Sequence, residues 1–168
     1  MAGARSQGLG QGFGKVKKRL RRLFRAFFPR GEEPDDAFAL AFLQGEERTL
    51  YLSMDPRDRA HAVRVARRLL RYYPDAPAFA IRAALLHDAG KALRPYRPLE
   101  RVLTGLWAPP VPPHPLRGGF LGAFQVRRHH PLYAAERIQD PEVRALVLEH
   151  HRPQSLWGKR LHQADQEE

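Results

Sequence analysis

The stretch AFAIRAALLHDAGK, residues 78–91, decides the fold of this chain. Apart from Arg82 it is apolar up to Leu86, and a helix that is apolar on nearly all sides is typical of a protein core. The stretch then reaches the polar pair His87-Asp88, which is costly to bury unless it is paired or metal-bound. It therefore predicts a buried helix with a functional site at its C-terminal end.

The chain from residue 34 onward predicts further helices and no strand, because it has no sustained alternation of apolar and polar residues. Proline residues at several helix starts support this assignment. Residues 107–119, WAPPVPPHPLRGG, contain five prolines and two glycines and predict a loop or lid. The predicted fold class is all-α, with helices over residues 34–44, 46–54, 56–72, 78–87, 124–139 with a break near Pro131, 141–151 and 155–168.

Composition limits the chemistry that this chain of 168 residues can perform. The length suits one compact domain with one appendage. The chain has no cysteine, which excludes disulfide scaffolds, thiolate zinc sites, iron–sulfur clusters and thiol nucleophiles. Any bound metal must therefore have imidazole and carboxylate ligands.

The positive charge is concentrated near the N-terminus. Nine of the 29 lysines and arginines lie in residues 1–30, which contain no acidic residue, whereas residues 31–168 hold the other 20 and all 18 acidic residues. The nearly neutral body lacks the charge of a nucleic-acid-binding domain. We expect residues 1–30 to form a flexible leader and a basic amphipathic helix, and residues 31–168 to form a helical metal-binding domain.

The basic helix expected within residues 13–30 has several alternative contacts. Such a helix suits docking on the domain or on a second subunit, binding to an anionic membrane surface, or binding to RNA. Because we find no membrane span and no evident signal peptide, we expect a cytoplasmic protein, held peripherally at the inner membrane surface if the helix binds lipid. The oligomeric state is not predicted. The apolar side of the helix consists of Phe13, Val16, Leu20, Leu23, Phe24 and Phe27.

The histidines and aspartates form a set that suits a divalent metal site. Ligands that are far apart in sequence converge between helices when each helix turns one of them inward. The position of the His87-Asp88 pair, at the end of an apolar helix, strengthens this interpretation. The candidate ligands are His61, His87, Asp88, His130, His150, His151 and Asp165.

The order of these residues resembles the HD domain metal-dependent phosphohydrolases, whose signature is a helix histidine, a His-Asp pair and a distant aspartate. The segment HDAGK is similar to the HD-x-G-K form of that family, and the resemblance spans about residues 50–168. His130-Pro131 and the His150-His151 doublet resemble the extra histidines of members that bind two metals, among them cyclic-dinucleotide phosphodiesterases of the HD-GYP group. No GYP segment follows the doublet, so specificity for cyclic di-GMP is not supported.

The chain is also similar to small stand-alone bacterial HD proteins, which end in a segment like LHQADQEE. The resemblance implies an HD-type helical bundle with one or two divalent ions, such as Mn, Fe or Mg. It implies that His61, His87, Asp88 and Asp165 hold one ion. Asp88 would bridge to a second ion held by His130, His150 and His151. The sequence between the doublet and Asp165 is short, and His162 on the same helix is an alternative to Asp165.

The resemblance implies a nucleotidase or phosphodiesterase that uses a metal-activated hydroxide on a nucleotide or another small phosphate ester. Asp88 and Lys91 are the predicted catalytic residues, and Lys91 would hold a phosphate oxygen unless it only caps its helix. The alternative is a non-catalytic metal-bound module that binds membrane or RNA through residues 13–30. His114 and His129 are not assigned to the site. Further candidates for phosphate binding are Arg94, Arg97, Arg101, Arg127 and Arg128.

Overall fold

A computed structural model describes residues 33–94, 98–107 and 109–167, and these residues form helices and connecting segments without a strand. The predicted all-α fold class is therefore confirmed. The leader and the basic helix expected within residues 1–30 lie outside the described residues, and the division at residue 30 stays a prediction. None of the described helices is both long and apolar enough to cross a membrane.

The described helices follow one another along the chain, and a 3₁₀-helix begins three residues after the end of the helix over residues 78–86. In chain order they are α1 (Asp36–Phe42), α2 (Glu46–Leu52), α3 (Pro56–Tyr72), α4 (Ala78–Leu86), the 3₁₀-helix (Ala89–Leu93), α5 (Pro98–Leu106), α6 (Gly119–Ala135), α7 (Pro141–Glu149) and α8 (Leu156–Gln166).

Most helix starts lie where the sequence predicts them, because side-chain caps determine them. Asp55 accepts a hydrogen bond from the first turn of α3, and Asp140 and Ser155 do the same for α7 and α8. The helix α5 was not among the predicted helices. In α5 the side chain of Glu100 is buried and its carboxylate pairs with Arg94. The leucines of α5 are exposed, so the polarity of its two sides is the reverse of that of a usual core-facing helix.

The prediction of a helix broken near Pro131 and reaching residue 139 is wrong. The helix α6 begins at Gly119, continues through Pro131 and ends at Ala135. Proline removes one backbone donor, which leaves the carbonyl of Arg127, four residues earlier, without its usual partner. The imidazole of His130 lies 3.0 Å from that carbonyl, so a side chain replaces the missing donor and the helix continues.

The segment between α5 and α6 is a loop, as predicted, and it is fastened to α6. The amide of Gln125 donates to the carbonyls of Pro112 and Pro115, at 2.9 Å each, and its oxygen accepts from Arg117 N. The hydroxyl of Tyr133 donates to a third carbonyl in the same loop. These contacts hold the loop against the side of α6.

The helix α4 is buried between its neighbours, as its apolar sequence predicts. Ala80, Ala83, Ala84, Leu85 and Leu86 are all inaccessible to solvent, and α3 and α7 pack against α4. Burying these side chains provides the main driving force for folding, at roughly 25 cal/mol per Å² of apolar surface. The end of α4, with the His-Asp pair, is consequently fixed within the core.

The only charged residue within α4, Arg82, is paired on two sides. Its guanidinium donates to both carboxylate oxygens of Glu47, at 2.5 and 2.9 Å, and to Asp140 at 3.0 Å. Because Asp140 also caps α7, this pairing connects α4 to α2 and to the start of α7. The cost of placing a charge in the core is thereby offset by charge-assisted hydrogen bonds.

The 3₁₀-helix packs closely against α6 at Gly90. A Cβ atom at this position would lie 2.0 Å from the carbonyl oxygen of His130 and 2.9 Å from the backbone nitrogen of Ala134. Both neighbours are backbone atoms of a helix and cannot move aside independently. The glycine therefore allows the approach that brings His130 beside the end of α4.

We expect Gly90→Ala to destabilise the protein by at least about 1–3 kcal/mol, because the added methyl group must push α6 away. Gly105→Ala is the matched control, since Gly105 lies in α5 and a Cβ there meets nothing within 4 Å. That variant should be neutral or up to about 1 kcal/mol more stable. Urea unfolding of both variants measures the difference, and equal stabilities would contradict the role given to Gly90.

Candidate metal centre

The seven candidate ligands come from α3, α6, α8 and the C-terminal ends of α4 and α7, and they converge in one region. His87 and Asp88 follow the last residue of α4, and His150 and His151 follow the last residue of α7. His87 and His150 still have right-handed helical backbone angles, and the α-helix ends at each of them, so Asp88 and His151 belong to the segments that follow. The remaining ligands, His61, His130 and Asp165, lie within α3, α6 and α8.

The first group of ligands surrounds His61 and His87. Their Nε2 atoms lie 3.3 Å apart. One oxygen of Asp165 is 3.1 Å from His61 Nε2 and 3.8 Å from His87 Nε2. The Oδ2 atom of Asp88 lies at 3.7 and 3.6 Å from the same two nitrogens. Two imidazoles and two carboxylates therefore face one point.

The second group consists of His130, His150 and His151. These three residues have one potential ligand nitrogen each within 4.8 Å of the others. The Nε2 atoms of His130 and His151 are 3.1 Å apart, and the ring centroids of His150 and His151 are 3.9 Å apart. His130 and His150 are buried, whereas His151 keeps an exposed side.

The carboxylate of Asp88 connects the two groups. Its Oδ1 atom is 3.2 Å from His130 Nε2 in the second group, while Oδ2 faces His61 and His87 in the first. Asp88 is only 4% exposed, so its two oxygens face protein groups on both sides. This is the geometry that the predicted bridging role of Asp88 requires.

Backbone carbonyls orient the buried imidazoles. The Nδ1 atoms of His87 and His150 lie 2.8 and 3.0 Å from the carbonyl oxygens of Ala84 and Val147, three residues earlier in each case. A carbonyl only accepts, so in the neutral ring Nδ1 carries the hydrogen and Nε2 presents a lone pair. His130 makes the corresponding contact with the carbonyl of Arg127. All three lone pairs consequently point toward the centre.

The helix α8 is held so that Asp165 reaches His61. The hydroxyl of Tyr73 donates to Gln163 at 3.1 Å, and the ring of Tyr73 packs edge-on against Trp157. The guanidinium of Arg160 lies over both rings, at 4.3 and 4.4 Å from their centroids. These contacts join α8 to Tyr73, the residue that follows the last turn of α3. His61 lies near the start of the same helix.

The protonation states of the buried groups favour cation binding. Burial lowers the pKa of His150 to about 2, and the neighbouring imidazoles act in the same direction. Burial alone would raise the pKa of Asp88, but the ammonium of Lys91 and the imidazoles of His87 and His130 hold it well below its usual range. At neutral pH the site therefore offers a neutral imidazole at His150 and an ionised carboxylate at Asp88.

A divalent ion fits this set of donors. Nitrogen and oxygen lone pairs face one another at 3.1–3.8 Å in a buried space, an arrangement that is repulsive unless a proton or a cation lies between them. Imidazole and carboxylate together suit first-row divalent ions. The two groups of His and Asp residues can therefore hold metal.

Lys91 lies in the last turn of the 3₁₀-helix, and its ammonium group is beside the carboxylate of Asp88. Its Nζ atom is 2.5 Å from Asp88 Oδ2. Burial would lower the pKa of Lys91, but the carboxylates of Asp88, Asp58 and Asp165 raise it. The positive charge of Lys91 is therefore kept next to the carboxylate that joins the two groups.

The other histidines named in the sequence analysis have separate contacts. His162 Nδ1 lies 2.9 Å from the carbonyl oxygen of His150, so Asp165 is the member of α8 that faces the first group. His114 pairs with Glu136, and His129 lies 2.8 Å from a carbonyl in the proline-rich loop. These contacts agree with leaving His114 and His129 out of the site.

The five candidate arginines have different surroundings. Arg94 forms two hydrogen bonds, at 2.6 and 3.1 Å, with buried Glu100 and is committed to that carboxylate. Arg97 and the side chain of Arg101 lie outside the described residues. Arg127 and Arg128 line a cavity that also touches His151. Sequence reasoning missed the apolar wall of this cavity, Pro109 and Phe124, because apolar residues in a loop and a helix carry no chemical signature.

Acid should destabilise the metal-free protein. An unfolded chain binds a proton at each histidine near pH 6.5, whereas folded His150 stays neutral down to about pH 2. Between these values the unfolded state binds more protons, so the free energy of unfolding falls as the pH is lowered. We expect a loss of about 1.4 kcal/mol per pH unit from His150 below pH 6. Urea unfolding at pH 7, 6 and 5 measures this slope, and His150→Leu should reduce it; an unchanged slope would contradict the prediction.

Replacing Pro131 should separate stability from metal affinity. In Pro131→Ala the new N–H can donate to the Arg127 carbonyl, which then no longer depends on His130. We expect the metal-free variant to be at least as stable as the wild type, while metal affinity falls by roughly tenfold because the His130 ring loses its orientation. Thermal unfolding and metal titration measure the two quantities. Unchanged metal affinity would show that the Arg127 carbonyl does not orient this ligand.

Comparison with protein families agrees with the arrangement of these residues. A family model of the HD domain matches residues 59–166, more than half of the chain and a range that includes all seven candidate ligands. No curated protein and no solved structure matched the chain. The predicted resemblance is thus confirmed: this chain belongs to the HD domain family, within the superfamily of metal-dependent phosphohydrolases.

Proposed function

We propose that this protein is a metal-dependent hydrolase of phosphomonoester or phosphodiester bonds in nucleotides or other small phosphate esters. The observation that carries the proposal is the position of Asp88, whose two carboxylate oxygens face two separate groups of imidazoles. Membership of the HD domain family supports the reaction class. The cavity beside His151 supports access for a substrate to the second group.

In this proposal the first group holds one divalent ion and the second group holds another. When bound, such ions supply Lewis acidity toward a phosphoryl oxygen and a lowered pKa for water. The neutral imidazoles bind without first releasing protons, because burial lowers the pKa values of His87 and His150. The proposed ligands are His61, His87, Asp88 and Asp165 for the first ion, and His130, His150, His151 and Asp88 for the second.

Lys91 is proposed to stabilise negative charge with its ammonium group and not to transfer a proton. Its ammonium group stays protonated beside Asp88, because the surrounding carboxylates raise its pKa despite burial. A fixed positive charge at this place stabilises negative charge that develops on a phosphoryl group. It also limits the rotation of the Asp88 carboxylate, to which it is hydrogen-bonded.

Asp88→Asn should remove both metal binding and hydrolysis. The amide lacks the negative charge that faces both groups, so we expect the metal content to fall and turnover to drop by roughly a thousandfold or more. The metal content is measured by elemental analysis, and turnover is measured with Mn²⁺ or Fe²⁺ on a panel of nucleotides, dinucleotides and nitrophenyl phosphates. Asp75→Asn is the matched control, since Asp75 is an exposed residue in the connection between α3 and α4 and belongs to neither ligand group.

The stoichiometry of the loss distinguishes a site for two ions from a site for one. A decrease of about two ions per chain in Asp88→Asn supports the bridging role, whereas a decrease of one argues against a metal-binding role for the histidine doublet. A wild-type protein that is fully loaded with metal but hydrolyses none of the panel would contradict the proposed activity.

The alternative, a non-catalytic module acting through residues 13–30, makes the opposite prediction for a truncated protein. Removal of residues 1–30 removes nine positive charges. If hydrolysis survives while binding to anionic vesicles or RNA disappears, the protein is an enzyme and residues 1–30 attach it to a membrane or to RNA. If only binding is ever detected, the module interpretation is correct. The molar mass of the same truncated protein, measured by light scattering, tests whether residues 1–30 join two subunits.

A further inference from the structure

A cavity of about 250 Å³ lies beside the second ligand group. It is lined by Pro109, Phe124, Arg127, Arg128 and His151, so one of its walls is a proposed metal ligand. Pockets that enclose a whole small-molecule ligand usually measure about 300–1,000 Å³. This cavity is therefore suited to one part of a substrate, next to the place where the reaction is proposed to occur.

The two arginines of the cavity differ from Arg82 and Arg94 in what surrounds them. Arg82 and Arg94 are each held by carboxylates. Among the residues that the structure describes, no carboxylate or carbonyl oxygen forms an ion pair or a hydrogen bond with the guanidinium of Arg127 or Arg128. Two adjacent positive charges without a counter-charge, against an apolar wall, attract an anion, and the planar guanidinium suits phosphate in particular.

The helix α6 fixes the distance between these charges and the metal site. Phe124, Arg127 and His130 follow one another at three-residue steps, so they lie along one side of the helix. Arg127 is thus slightly less than one helical turn, a rise of roughly 4.5 Å along the helix axis, from the ligand His130. An anion at Arg127 is then distinct from a phosphoryl group at the metal centre, yet near enough to belong to the same molecule.

We infer that this cavity binds a second phosphate of the substrate, one that is not itself hydrolysed. The inference rests on the proposed function and narrows its substrate class to compounds with at least two phosphates, such as nucleoside polyphosphates and dinucleotides. Arg127 and Arg128 bind the second phosphate and determine specificity, while Phe124 and Pro109 contact the neighbouring sugar or base.

Binding of ADP and of AMP to the metal-loaded protein tests this inference. We expect calorimetry to give at least about tenfold tighter binding of ADP, because charge-assisted hydrogen bonds to the second phosphate add to its affinity. In the double variant Arg127→Ala/Arg128→Ala, the affinity for ADP should fall to that for AMP, and the affinity for AMP should change little. The metal content should stay at the wild-type value.

The control is Arg137→Ala, which also removes an arginine, from an exposed position just beyond the end of α6. It should bind ADP like the wild type. The single variants Arg127→Gln and Arg128→Gln keep much of the side-chain volume and should each lose part of the preference for ADP. They provide the same test if the double variant does not fold.

The outcomes separate this inference from the proposed function. If the double variant binds ADP as tightly as the wild type, the inference is overturned, even if the protein hydrolyses phosphate esters. If the preference for ADP depends on the two arginines while no substrate of the panel is hydrolysed, the subsite stands and the proposed activity fails. Equal binding of ADP and AMP by the wild type would also overturn the inference.

Discussion

The interaction on which the site depends is the burial of the Asp88 carboxylate between two groups of imidazole nitrogens. A buried negative charge and several inward lone pairs are unfavourable unless positive charge balances them. Lys91 supplies one positive charge at 2.5 Å, and the two groups provide space and donors for divalent ions. The surrounding helices therefore enclose a centre whose electrostatic balance depends on what it binds.

Backbone features around the centre decide the direction of the ligands. Because α4 and α7 end just before their His-Asp and His-His pairs, carbonyls of their last turns accept from His87 and His150. In α6 the carbonyl of Arg127 accepts from His130 in the same way, because Pro131 has no N–H to donate to it. Gly90 then allows α6 to approach closely enough for His130 to meet Asp88. Helix ends, a proline and a glycine thus act together on imidazole orientation.

Charge in the described domain is used in two different ways. Arg82 and Arg94 pair with carboxylates and connect elements of the fold. Arg127 and Arg128 instead line the cavity next to the candidate metal centre. The composition of the chain does not distinguish these two uses, because all four residues are the same amino acid. Only the neighbours that folding brings to each side chain separate a structural arginine from one that is accessible to a ligand.

The sequence by itself determined the all-α fold, most helix starts and the buried nature of most of residues 78–86, and it predicted the seven candidate ligands. These features depend on local periodicity, caps and residue order, which are visible along the chain. The tertiary structure alone decided that α6 continues through Pro131 and that Asp165, and not His162, faces His61. It also decided that α5 is a helix whose Glu100 side chain is buried. It also decided which arginines remain accessible. The reason is physical: these outcomes depend on distances between side chains and backbone groups that are far apart in sequence, and such distances exist only after the helices have packed.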